Sequence, residues 1–133
     1  MATEVIAFPD AEALVISYLK PKMGGVTVTT KVPNPRPANG KLIKVTRLGG
    51  SQLRLNADSP LLAFECWGST TVEASELCRL ARAYVTAMAG EKVNGTWVYK
   101  VREVGGPAFF PDPDSDSPRY QFSVAIDMKG VAL

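Results

Sequence analysis

The chain contains no histidine. That gap removes Ser-His-Asp and Cys-His catalysis, histidine-ligated metals and the commonest general base at neutral pH. Cysteine is nearly as scarce. Cys66 and Cys78 form no CxxC pair, and without histidine they complete no zinc site and activate no thiolate. Both lie in apolar runs, so buried, reduced thiols are expected rather than a disulfide in a protein matured in reducing cytoplasm. No apolar run approaches the ~18–20 residues of a membrane span. The N-terminus lacks the basic, apolar and small-residue segments of a secretory signal. The expectation is a soluble, intracellular product with no membrane partner, no cofactor, no metal and no catalytic residue. Glycine pairs occur at 24–25, 49–50 and 105–106, but none has the GxGxxG or Walker spacing or runs directly into a helix, so they read as turns.

What is present suits one domain spanning 1–133. Domains commonly run to about 100–150 residues, and an apolar content of 46% is that of a globular chain. The net charge of +2 is small but unevenly placed. No acidic residue lies between Ala13 and Ala57, where Lys20, Lys22, Lys31, Arg36, Lys41, Lys44, Arg47 and Arg54 fall. Such a layout suits an acidic partner, nucleic acid, or the acidic face of another copy. There is no Phe, Tyr or Trp between Met23 and Leu62. A base-stacking platform of the RRM or OB type is therefore poorly supported.

Proline and glycine punctuate the chain. Residues 10–19 repeat apolar positions at helical spacing after Pro9 and Asp10, and Pro21 with Gly24-Gly25 ends that helix. Residues 25–32 alternate as a strand, and the three prolines in 33–40 make a stiff exposed loop. Residues 41–48 form a second strand with Ile43 and Val45 opposed to Lys44 and Thr46. The Gly49-Gly50 pair marks a turn, 51–60 is irregular or a short edge strand, and 61–67 is a central apolar strand. Thr70-Thr71-Val72-Glu73 fits a capping box. The helix that follows carries Leu77, Leu80, Ala81, Tyr84, Val85 and Met88 on one stripe and reaches its C-cap at Gly90. Strands at 96–104, with Trp97, Tyr99 and Val101 on one face, and at 119–128, with Tyr120, Phe122, Val124, Ile126 and Met128 on one face, flank a loop over 105–118. No proline or glycine falls inside these elements. The expected fold is α+β in the order α-β-β-β-α-β-β, an antiparallel sheet of four to five strands with two helices packed on one face.

In the 105–118 loop, Asp112, Asp114 and Asp116 alternate like the start of a calcium site. The glycine and closing glutamate such a site needs are absent, and Pro113 interrupts it. Phe109 and Phe110 either fold under the loop or dock into a neighbour. The candidate subunit or partner interface comprises Arg36, Lys41, Lys44, Arg47, Phe109, Phe110, Asp112 and Asp114.

Several segments taken together resemble the tail terminator proteins of actinobacteriophages with long, non-contractile, siphovirus-type tails. They are Phe8-Pro9-Asp10-Ala11-Glu12, Val32-Pro33-Asn34-Pro35-Arg36-Pro37, residues 45–50, Phe64-Glu65-Cys66-Trp67 and the run from Gly105-Gly106-Pro107 to Pro118-Arg119-Tyr120. The resemblance implies a structural virion protein made in the host cytoplasm and sited at the head-proximal end of the tail. It implies a hexameric ring that caps the tail tube and ends polymerisation. The implied partners are the major tail tube protein, a head-completion or stopper protein and the tape measure protein, with DNA passing through the lumen without specific binding. A head-tail joining (neck) protein and a small nucleic-acid-binding module are the alternatives. The basic stretch and the acidic loop either meet across adjacent copies, or the basic strands line the lumen.

Overall fold

A computed structural model describes residues 4–133. In chain order it comprises β1 (Ile6–Ala7), α1 (Ala11–Leu19), β2 (Thr27–Thr29), β3 (Leu42–Arg54), β4 (Ala57–Trp67), α2 (Thr71–Thr86), β5 (Lys92–Val93), β6 (Thr96–Phe109), β7 (Arg119–Lys129) and β8 (Val131–Ala132). One curled sheet runs β2-β3-β4-β7-β6-β5, and β1 pairs with β8 as a separate ribbon. Among the described residues no helix is long and apolar enough to cross a membrane.

Both helices start where side chains supply the missing partners for free amides. The Asp10 carboxylate accepts from the Ala13 N–H at 3.1 Å, and the Thr70 hydroxyl accepts from the Glu73 N–H at 3.1 Å. Ala74, Leu77, Cys78, Ala81 and Val85 then form the buried stripe of α2. Leu80, expected in that stripe, is 48% exposed on its outer flank. Helix α2 stops at Thr86, and Gly90 sits one turn further on with φ +81°. Both helices cover one face of the sheet, whose central row is Val45, Phe64 and Phe122 across β3, β4 and β7. The Phe64 and Phe122 rings stack there with centroids 4.5 Å apart. Lys44, Glu65 and Gln121 form the adjacent row and, by the period of two, point to the open face.

The structure corrects the sequence reading in several places. The sheet has six strands, and β2 runs parallel to β3 over Thr27–Thr29 only. Gly49-Gly50 is no turn. It lies inside β3 at a register shift, so residues 51–54 and 57–60 are paired strand rather than irregular chain. Beyond Gly105-Gly106, β6 continues to Phe109 through further shifts, and Pro60 and Pro107 stand within strands. Bulges let a strand absorb glycine and proline, which a period-two reading takes as breaks, and Pro60 of the central β4 stands opposite Gly50 beside one. A shift between Val98 and Lys100 also splits the expected face, since Val98 and Val101 both take the core side, opposite Met128 and Ile126. Val98 is buried, whereas Trp97 and Tyr99 are 42% and 40% exposed.

The paired glycines offer a controlled test. Gly49 and Gly50 have φ of +96° and +93°, so alanine at either is strained by about 1–2 kcal/mol. A Cβ on Gly49 meets open space, but one on Gly50 collides with the Ser59 carbonyl oxygen and the Leu61 nitrogen of β4. In urea unfolding, Gly50→Ala should lose clearly more stability than Gly49→Ala.

Candidate assembly surfaces

Four features of the molecule are built to meet something. The first is the pair of stiff loops at the end of the open face where β4 finishes and β7 begins. Trp67 and Leu42 are buried on this face, outside the main core. The loops 33–40 and 110–118 meet over Trp67 through one carboxylate. Asp112 Oδ2 accepts from Arg36 Nη2 at 3.2 Å, Trp67 Nε1 at 2.8 Å and Ser115 Oγ at 2.7 Å, while Oδ1 accepts from the Asp114 N–H at 2.9 Å. The Asp112 side chain is 3% exposed. Burial pushes its carboxyl up, but the donors from Ser115, Asp114, Trp67 and Arg36 outweigh that and hold it well below the usual carboxylate range. Arg36 and Arg119 also lie over the Trp67 ring.

The second feature is charge compensation. Lys44 Nζ and Arg119 Nη1 share Glu65, at 3.8 and 3.4 Å. Arg102 Nη2 meets Asp127 Oδ1 at 2.8 Å, and Ser59 Oγ donates to the same oxygen at 2.9 Å. On the helix side Arg47 Nη2 meets Asp58 Oδ2 at 3.1 Å, while the Arg47 N–H donates to Glu12.

The basic stretch and the acidic loop do meet, then, but Arg36 and Asp112 do so within one chain. Lys44 and Arg47 find carboxylates from β4, not from the acidic loop. Lys41 and Asp114 remain exposed, and neither belongs to an ion pair among the described residues. Phe109 and Phe110 neither fold under the loop nor share a face. Phe109 packs edge-on against Tyr120 at 5.6 Å. Phe110 borders a shallow open-face groove of about 320 Å³, floored by Ala63, Gly105 and Ser123.

Third, β3 and β6 are free along much of their outer edges. β2 accompanies β3 only as far as Lys44, and β5 accompanies β6 only at Thr96 and Trp97. Gly90 N–H and the Glu91 carbonyl also bond the Val98 carbonyl and N–H, and beyond Lys44 and Val98 no strand among the described residues lies beside either edge. Fourth, the tip of the β3–β4 hairpin exposes Leu53 and Leu55.

The sequence reading missed Glu65, Trp67, Ser59 and Asp127. The available signal was that Glu65 and Trp67 share a strand face opposite Phe64 and Cys66, so a lone acid and a tryptophan had to sit together on one side of the sheet. The cysteines are both free and buried, and burial pushes the Cys66 thiol up. Among the described residues no cluster of three acids or thiols converges as a metal cage.

Stapled loops, unpartnered edges and compensated charges all lie at the surface of an α+β domain with two helices on one face of a curled sheet. The chain belongs to the phage tail termination protein family, whose model matches residues 7–132. That membership makes it a bacteriophage tail component with a structural role. No individual curated protein matches it.

Proposed function

We propose that this chain caps the tail tube of a siphovirus-type phage of actinobacteria as a closed ring, ending polymerisation and presenting its other side for head-tail joining. The tube protein would meet one side of the ring and a head-completion or stopper protein the other, at the head-proximal end of the tail.

The observation that carries the ring is the pair of free edges. β3, β4, β7 and β6 alternate in direction, so β3 and β6 run opposite ways at opposite sides of the same sheet. Rotating a second copy about an axis along the strands brings its β6 beside the first copy's β3 in antiparallel sense. This is the more stable pairing, and repeating it closes a barrel with no edge left. The register shifts at Arg47/Gly50 and Gln52/Arg54 in β3 and at Val98/Lys100 and Glu103/Gly105 in β6 confine regular pairing to residues 50–52 and 100–103. Those segments lie at one level, since Ser51 is opposite Ser59, Ser59 bonds Asp127, and Asp127 is opposite Lys100.

A double variant, Ser51→Cys with Lys100→Cys, tests the geometry. Three strand spacings of about 4.8 Å keep the two positions apart within one chain. Mild oxidation should give a ladder of covalent oligomers on a denaturing gel, because the contact is head-to-tail. A mixture of the two single variants should stop at dimers. Monomers only from the double variant would rule out this edge pairing.

A further inference from the structure

We infer that Glu65 and Asp127 mask the cations of the open sheet face, so that nucleic acid moves over it without being gripped. The inference rests on the ring reading for its setting: with both helices on the other face, the open face is the one that lines the channel. The masking itself is a property of a single chain.

Lys44, Arg102 and Arg119 carry three positive charges on this face, from β3, β6 and β7. Left free, each would take a phosphate oxygen and release a counterion, and a ring would multiply the effect by its copy number. Each instead faces a carboxylate on a neighbouring strand. Glu65 stands between Lys44 and Arg119, one oxygen toward each, and Gln121 Nε2 approaches it at 3.3 Å. Asp127 is nearly buried, fixed by Ser59 and Arg102 together. Arg119 is further tied to the carbonyls of Phe110 and Pro111 at 3.1 and 3.2 Å, so its head is not free to swing outward. Lys100, opposite Asp127 in register, is exposed and outside any ion pair among the described residues. The floor between these pairs is small and uncharged, with Thr46, Ala63, Ser123 and Ala125 in adjacent rows. Such a face has the cations that hold nucleic acid electrostatically, with the charges of Glu65 and Asp127 offsetting two of the four on Lys44, Lys100, Arg102 and Arg119. That suits a surface over which a polyanion must slide, where tight phosphate contacts would slow it.

The test compares the wild-type protein with Glu65→Gln, Asp127→Asn and the double variant, using fluorescence anisotropy of a labelled duplex DNA at low salt. Light scattering on the same samples reports assembly. The wild type should bind weakly. The double variant should bind about tenfold tighter or more, with a log-log salt slope steeper by about 2 per engaged copy. Adding Lys44→Gln to Glu65→Gln should return part of the gain, separating unmasking from misfolding. Equal weak binding by wild type and double variant overturns the inference, as does tight, salt-sensitive binding by the wild type. A wild type that stays monomeric by light scattering counts against the ring reading instead, and the anisotropy comparison still decides the masking.

Discussion

Particles from a phage lacking this gene should show overlong, headless tails by negative-stain microscopy. A tube protein adds to its own end indefinitely unless something binds that end and offers no equivalent surface in return. A heterologous ring with two unlike sides does this. The two ends of this molecule are unlike: one is the hairpin tip with exposed Leu53 and Leu55, the other the proline-rich pair of loops held by Asp112. Six of the prolines, at 33, 35, 37, 111, 113 and 118, lie at the loop end, where they withhold the N–H groups that another strand would need. Supplying the wild-type gene should restore a single tail length. Tails of normal length that fail to join filled heads would instead make this a joining protein. That result would keep the structural class and move the site of action.

Asp112→Ala should be the most destabilising single change outside the core. It removes the acceptor for Arg36, Trp67, Ser115 and the Asp114 amide at once. Breaking a buried, charge-assisted cluster costs about 3 kcal/mol or more, which is about 10 °C in Tm for a domain of this size. Trp67 fluorescence should shift to the red as its ring loses both its hydrogen bond and its loop cover. The loss has a pH signature. The Asp112 carboxyl is held below its ordinary value in the folded chain, so its contribution is complete above the unfolded carboxylate value of about 4 and fades as pH falls further. Wild-type stability should therefore drop below that pH more steeply than that of the Ala variant, and the two curves should converge in acid. Parallel curves would mean that Asp112 is not the staple described.

Much of the fold was legible because it rests on local chemistry. The N-cap at Thr70, the turnless apolar run of residues 61–67 and the alternation of Tyr120, Phe122, Val124, Ile126 and Met128 each act through neighbours in sequence. The misread parts share a cause. Gly49-Gly50, Gly105-Gly106 and Pro107 look like breaks to any local rule, yet each is accommodated by a bulge whose existence depends on the partner strand. Trp97 and Tyr99 part from Val101 because one such shift lies between Val98 and Lys100, and a one-residue slip moves the later side chains to the other side.

The candidate site divides along the same line. The absence of histidine, the uneven charge and the stiffness of the two proline loops are facts of composition and order, and they sufficed to direct attention to surfaces. Which cation meets which carboxylate was beyond their reach. Arg36 and Asp112 are separated by 76 positions, and Lys44 and Arg119 share Glu65 only because β4 lies between β3 and β7. The sequence alone determined the class of elements and the absence of histidine chemistry, since these depend on residue type and short-range spacing. Only the tertiary structure decided the pairing of charges and the placing of free edges, because strand order and register bring together residues that no local pattern connects.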